Sequence, residues 1–185
     1  MLGKALALAT RTHEEMRPVL MNPLASGPEV HYWMLRGGSE KRNITVWEAG
    51  KVGDEYVKTL GHYHVSDFIE TYEILAGEGI ILLQAPVQDG AVDWVRAIFV
   101  KSGSKVTIPE RAGHLGVNIG QSWLVTSDDS PVYAKDDPAA PKHADYEPVR
   151  KMHGFAYYVV EKGGKPDFVK NPNYKNHPNV TIEKA

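Results

Sequence analysis

At 185 residues, 42% hydrophobic and 24% charged, the chain has the size and composition of one soluble globular domain with a substantial core. A net charge of -2 excludes the basic excess that nucleic-acid and anionic-membrane binders require. The lack of cysteine excludes disulfides and thiolate metal sites, leaving nitrogen and oxygen as the available metal ligands.

Residues 1–20 read as helix-prone, with Thr12 and the Glu14-Glu15 pair marking a helix start before Pro18. Residues 1–10 lack a long apolar run with a small-residue cleavage site, and no segment approaches the ~20 apolar residues that span a bilayer. A cytoplasmic location is therefore expected. From residue 30 the pattern becomes short segments rich in Val, Ile, Trp and Tyr, broken by Gly and Pro. Strands are expected over 30–35, 44–48, 56–64, 70–76, 79–84, 92–99, 104–108, 117–119 and 122–126, with one more over 155–160. Asp89-Gly90 between two apolar runs is a hairpin signal. Such a train of strands reads as an all-β barrel or sandwich. Residues 166–178, rich in Pro and Asn, read as irregular chain laid over the surface or a partner. Repeats and linkers are absent, so residues 1–185 read as a single domain with a barrel core of about 30–160.

One constellation stands apart from packing. His62 and His64 are two residues apart, so on a strand they face the same way and can share an ion. Glu70 opens the next strand beside them, and His114 follows Pro109 in a Gly-containing turn that leads into another. An isolated His-x-His is common on half-buried strands, but Glu70, Gly77 and the Gly103, Pro109, His114, Asn118 series convert it into a metal site. Three neutral imidazoles and one carboxylate suit Fe2+, Mn2+, Ni2+ or Zn2+ and leave coordination positions open to substrate oxygens. Tyr72 shares the face of Glu70 by the period of two and so lines the same cavity. Most glycines read as turn formers, whereas Gly61 and Gly113 adjoin proposed ligands.

These residues carry a family resemblance. Gly61-His62-x-His64 with Glu70 and Gly77 resembles the first cupin motif, with one or two extra residues before the Glu. Gly103, Pro109, His114 and Asn118 match the spacing of the second, although a glycine also stands at 113. The resemblance implies a cupin double-stranded β-helix, a jelly-roll barrel with the metal inside, here with an N-terminal extension and a short irregular C-terminal tail. More narrowly, Thr45-Val46, Gly50-Lys51-Val52-Gly53, Thr59 to His64, Glu70 to Leu75 and Pro109 to Gly120 are similar to the archaeal-type, metal-dependent glucose-6-phosphate isomerases.

That resemblance implies interconversion of glucose 6-phosphate and fructose 6-phosphate, one divalent metal per subunit with Fe2+ foremost, and a homodimer joined through strand edges or the N-terminal strand. It assigns the metal to His62, His64, Glu70 and His114, proton transfer to Glu70, and phosphate contacts to Thr45, Thr59 and the Gly61 amide. His143 and Tyr146 resemble positions that close over the sugar and assist ring opening. His31 stands where the family has a site tyrosine, and Arg111 replaces an aromatic near the metal, where its charge is expected to meet phosphate. His13, His31, His153 and His177 read as surface or structural, His31 despite standing at that family position. The Asp128-Asp129-Ser130 segment lacks a substrate-contacting tyrosine of the family, with Tyr133 a few residues late. A metal-dependent cupin dioxygenase and a non-catalytic sugar-phosphate sensor are the competing classes.

Overall fold

The computed structural model describes residues 7–37, 43–65, 67–130 and 144–185. Two six-stranded sheets build the barrel. The first runs in the order β1 (Ala7–Thr12), β2 (Val30–Arg36), β3 (Asn43–Trp47), β12 (Leu124–Asp128), β7 (Glu70–Ala76) and β10 (Lys105–Ile108). The second runs β13 (Ala144–Asp145), β6 (His62–His64), β11 (Gly113–Asn118), β8 (Glu78–Gln84), β9 (Val95–Lys101) and β16 (Val180–Lys184). A smaller sheet holds β15 (Lys165–Lys170), β14 (Tyr157–Lys162), β5 (Glu55–Tyr56) and β4 (Lys51–Val52). Among the described residues, two short helices, α1 (His13–Met16) and α2 (Glu147–Lys151), complete the elements apart from one 3-10 turn.

The pairing is nested. β8 and β9 form the innermost antiparallel pair, then β7 with β10, then β6 with β11. Successive strands alternate between the two sheets on the way in and again on the way out. That is the double-stranded β-helix of a cupin, and it brings β6 and β11 from distant parts of the sequence side by side.

Alternating hydrophobicity is expected where one sheet face meets water, but β8 is buried from Gly79 through Gln84. Both its faces are covered, the inner by the barrel core and the other by the C-terminal chain. The Ala156 amide donates to Gln84 Oε1 (2.9 Å), and Gln84 Nε2 donates to the Tyr174 hydroxyl (3.0 Å). The tail expected to be irregular is therefore a structural layer of the same chain. It contains β15, and β16 extends the second sheet by pairing in parallel with β9.

Other sequence-based boundaries shift for local reasons. The N-terminal stretch forms β1 against β2 rather than a long helix, because pairing outweighs the helix preference of its alanines. Thr12 does start a helix: it caps the single turn α1 in a reciprocal pair with Glu15. The strand expected over 56–64 is split. Gly61 adopts φ +81, and a Cβ there would lie 3.0 Å from Phe155 and 3.1 Å from Leu115, so only glycine fits this bend before His62. Asp89 and Gly90 both have positive φ (51 and 80), making the expected tight turn between the reciprocal Gln88 and Ala91 bonds.

Two buried polar groups tie the N-terminal segment to the barrel. Lys58 ion-pairs with Glu55, donates to the Val19 carbonyl (2.7 Å) and lies 5.0 Å over the Tyr158 ring. The second pairs His31 Nε2 with His13 Nδ1 at 3.0 Å, while His13 Nε2 lies 3.1 Å from the Ala25 carbonyl. That carbonyl can only accept a hydrogen bond, so His13 Nε2 carries the proton, His13 Nδ1 is the acceptor and His31 Nε2 the donor. His31 thus belongs to the packing of the N-terminal turn.

Burial, then the neighbouring His13 and Lys58, pushes the His31 pKa down from 6.5 to about 4. Between those values the unfolded chain takes up a proton at this residue and the folded chain does not, so stability falls as pH falls through the window. We expect the wild-type protein to lose about 2–3 kcal/mol more than His31→Gln between pH 7 and pH 4.5. Urea unfolding at both pH values checks this; parallel losses in the two proteins contradict it.

Candidate metal centre

β6 and β11 pair so that His62 lies opposite His114, and Gly113 opposite Tyr63. The period of two in β6 places His64 on the same face as His62. Glu70 arrives from the other sheet, as the first residue of β7. The four side chains therefore meet across the barrel interior, with ring centroids 4.2 Å apart for His62 and His114 and 4.8 Å for His64 and His114. One ligand atom from each of His62, His64, Glu70 and His114 lies within 4.8 Å of the others. Among them His64, Glu70 and His114 are buried and His62 is half-buried.

Gly113 makes the close approach of β6 and β11 possible. A Cβ there would stand 2.6 Å from the Tyr63 ring. It sits within β11, so His114 lies inside a strand rather than in the expected turn. Asn118, at the end of β11, donates to the Trp47 and Ser122 carbonyls (3.1 and 2.8 Å) and accepts from the Gly120 amide (3.0 Å). It fixes the exit from β11.

The hydrogen bonding identifies what the cluster is built to hold. His64 Nδ1 lies 3.1 Å from the Phe68 carbonyl, which can only accept, so Nδ1 carries the proton and Nε2 presents a lone pair. That lone pair faces Glu70 Oε2 at 3.1 Å. His114 Nε2 stands 3.2 Å from the same oxygen, and neither ring nitrogen of this buried histidine has a hydrogen-bond partner. Lone pairs converging at this distance repel unless positive charge lies among them. A divalent cation fits that requirement, and the nitrogen and oxygen donor set suits first-row metals. Burial, followed by His114, holds the His62 imidazole well below its usual value, so it is a neutral ligand at physiological pH.

Around this centre the sequence-predicted residues are distributed unevenly. Tyr72 places its ring edge-on 5.6 Å from His114, and burial, then the Glu70 charge, raises its hydroxyl well above the usual value. Tyr146 stands 5.3 Å from the His62 ring, with the Arg150 guanidinium 6.0 Å from its ring centre. Thr45 is buried on β3, opposite Thr126 of β12. Thr59 Oγ1 accepts from the Gly116 amide (3.0 Å), and the Thr59 amide donates to the Gly116 carbonyl (2.8 Å), fixing the approach to Gly61 and His62. Arg111 is exposed and bonds Asp67 at 2.7 Å on the rim. His143 and Tyr133 lie outside the described residues.

Four residues at the site were not singled out from the sequence. Arg36, Asn43, Asp128 and Ser130 line the approach to Glu70. Asn43 Nδ2 donates to Asp128 Oδ1 (2.6 Å), Arg36 stands 3.6 Å from Asp128, and the Ser130 hydroxyl donates to Glu70 Oε1. For Asn43 and Asp128 the signal was polarity at buried strand positions; Arg36, half-buried, and Ser130, past the end of β12, carried none. Asn43 pairs with Asp128, and Thr45 with Thr126, all four buried in a barrel whose other inward residues are largely apolar.

A double-stranded β-helix with three imidazoles and a carboxylate converging inside is a cupin barrel with a group able to hold a metal. The family model for "Glucose-6-phosphate isomerase (GPI)" matches residues 34–177, and the chain belongs to that family. Glucose-6-phosphate isomerase of Thermococcus onnurineus is 36% identical over 132 residues, covering 71% of this chain and 62% of that protein. The isomerase of Pyrococcus furiosus is 35% identical over 132 residues, with the same coverage of 71% and 62%. The chain thus matches less than two thirds of the length of these relatives. Among solved structures, the Drosophila melanogaster CENP-C cupin domain is similar with TM-score 0.41 and 8% identity, covering 60% of this chain and 79% of that one. Oxalate oxidase in complex with glycolate has TM-score 0.38 and 15% identity, covering 66% and 48%.

Proposed function

We propose that this protein interconverts glucose 6-phosphate and fructose 6-phosphate at the His62, His64, Glu70, His114 centre. The observation that carries this reading is the convergence of His62, His64, Glu70 and His114 inside the barrel of a chain of the glucose-6-phosphate isomerase family. A divalent cation held by these four residues, with Fe2+ as the proposed native ion, would supply Lewis acidity toward the sugar oxygens at C1 and C2. Glu70, the one carboxylate in the group, would serve as the base that takes the proton from C2 of the aldose and returns it at C1 through a cis-enediol, exchanging between ligand and base as substrate displaces it. A direct hydride shift between the same carbons is the alternative route, and it would leave Glu70 as ligand alone.

The remaining residues bind and orient. Thr45, the Thr59 hydroxyl and the Gly61 amide are the proposed phosphate contacts, with Thr59 held against Gly116 on the approach to Gly61 and His62. Tyr72 and Tyr146 flank the imidazoles, where they exclude water from the reacting carbons and direct their hydroxyls toward the sugar. Arg111, engaged with Asp67 on the rim, would meet the phosphate from outside.

The homodimer has a face suited to it. Trp33 and Trp123 pack at 5.4 Å, and Leu35, Leu75 and Trp123 are exposed on the first sheet, beside Val46 and Val125. A contiguous apolar sheet face of this kind is a protein-interaction surface, and a second copy of the chain is the proposed occupant.

Two measurements check these readings. In a coupled assay with fructose 6-phosphate, the metal-loaded protein turns over and loses activity on chelation. Glu70→Gln lowers kcat by roughly 10²–10⁴-fold. Metal-loaded protein that binds the sugar phosphate without turnover contradicts the isomerase reading, and full activity in Glu70→Gln contradicts the role of the base. Light scattering on the wild-type protein should give twice the chain mass, falling toward the chain mass in Trp123→Glu; a monomeric wild type contradicts the dimer.

A further inference from the structure

We propose that Ser130 is a positioning residue that holds Glu70 in single-oxygen coordination, and that the Asp128-Asp129-Ser130 turn is built as a clamp for that purpose. The two oxygens of Glu70 have different surroundings. Oε2 faces His64 and His114, at 3.1 and 3.2 Å, whereas Oε1 accepts from the Ser130 hydroxyl. A carboxylate with one oxygen occupied by a hydroxyl donor presents the other to a cation. Without the donor it can rotate about its terminal bond or offer both oxygens, and the ligand geometry is no longer defined.

The turn that carries Ser130 is fixed to the barrel at independent points. Asp128, at the end of β12, accepts from Asn43 Nδ2 (2.6 Å) and from the Ser130 amide (3.1 Å). Asn43 Nδ2 also donates to the Ser130 carbonyl (3.0 Å), and its own Oδ1 accepts from the Gly37 amide (3.2 Å). Asp129 reaches over to β7 and accepts from the amide of Thr71, the residue next to Glu70 (2.8 Å). Three consecutive side chains of one turn thus bond three different places: the neighbouring strand β3, the backbone beside Glu70, and Glu70 itself. This density of fixed contacts exceeds what closing a turn requires. It is the arrangement that locks the rotamer of a metal-binding side chain.

The clamp concerns metal coordination, and only its kinetic consequence rests on the isomerase reading. The direct probe is Mn2+ alone, titrated calorimetrically into metal-free wild type, Ser130→Ala and Ser130→Thr. Ser130→Ala should weaken Mn2+ binding by roughly 10–100-fold, the usual effect of removing an outer partner of a ligand. Ser130→Thr, which keeps the hydroxyl, should restore most of the affinity. The metal-free proteins should unfold at the same temperature, and the bound Mn2+ of Ser130→Ala should show an altered electron paramagnetic resonance spectrum. In the coupled assay at saturating metal, kcat for fructose 6-phosphate should fall in Ser130→Ala with KM little changed. Unaltered Mn2+ affinity and spectrum in Ser130→Ala overturn the proposal, as does an equal loss in Ser130→Thr, which would assign the effect to packing. A wild-type protein without isomerase activity would overturn the functional reading while leaving the Mn2+ comparison intact.

Discussion

Glu70 Oε2 faces two imidazole nitrogens at 3.1 and 3.2 Å, and at least one of them presents a lone pair. In a buried setting this contact is stable only with positive charge among the three atoms, because nothing in the low-dielectric interior screens their repulsion. Much of the surrounding structure serves that requirement. The nested strand pairing brings β6 and β11 together, the facing sheet supplies Glu70, and Gly113 lets the Tyr63 ring pass where any side chain would block it. His64 is held in one tautomer by the Phe68 carbonyl, so the lone pair that points inward is fixed by the backbone.

The centre is rigid because it is covered. β8 and β11 are buried along almost their whole length, and the C-terminal chain supplies the outer layer through Gln84, Tyr174 and the β16 pairing. The N-terminal segment closes another side through the buried Lys58 and Glu55 pair and the His13 and His31 relay. Removing one member of such a buried pair leaves an uncompensated charge, so these groups make the terminal segments obligatory parts of the barrel. The strands that carry the four residues are thus held from both sides, which suits a group that could hold a metal.

Much of this was legible in the sequence, and the reason is periodicity. His62 with His64, and Glu70 with Tyr72, obey the alternation of a strand, so the common face of each pair followed from spacing, while the meeting of the two pairs depended on the barrel. Asp89-Gly90 specified its turn because both residues tolerate positive φ. The C-terminal strands were obscured by Pro166, which is acceptable in β15 because that strand lies at a sheet edge. Gly163-Gly164, both at positive φ between paired Lys162 and Lys165, was a hairpin signal passed over. The parallel pairing of β16 with β9 had no local signal, since it depends on which edge the completed barrel leaves open. Asn43, Asp128 and Ser130 were hidden for a related reason: their roles arise from the register of β3 against β12, which no single segment encodes.

The central claim is that four side chains from three strands bind one divalent ion through a single oxygen of Glu70. The most direct test is a crystal structure of the Mn2+-loaded protein with anomalous diffraction recorded for the metal. The account predicts one anomalous peak per chain, within about 2.0–2.3 Å of nitrogens of His62, His64 and His114 and of one Glu70 oxygen, with open positions facing the cavity. A peak elsewhere, or a fully loaded protein in which Glu70 or any of the three histidines is unbound, would contradict it.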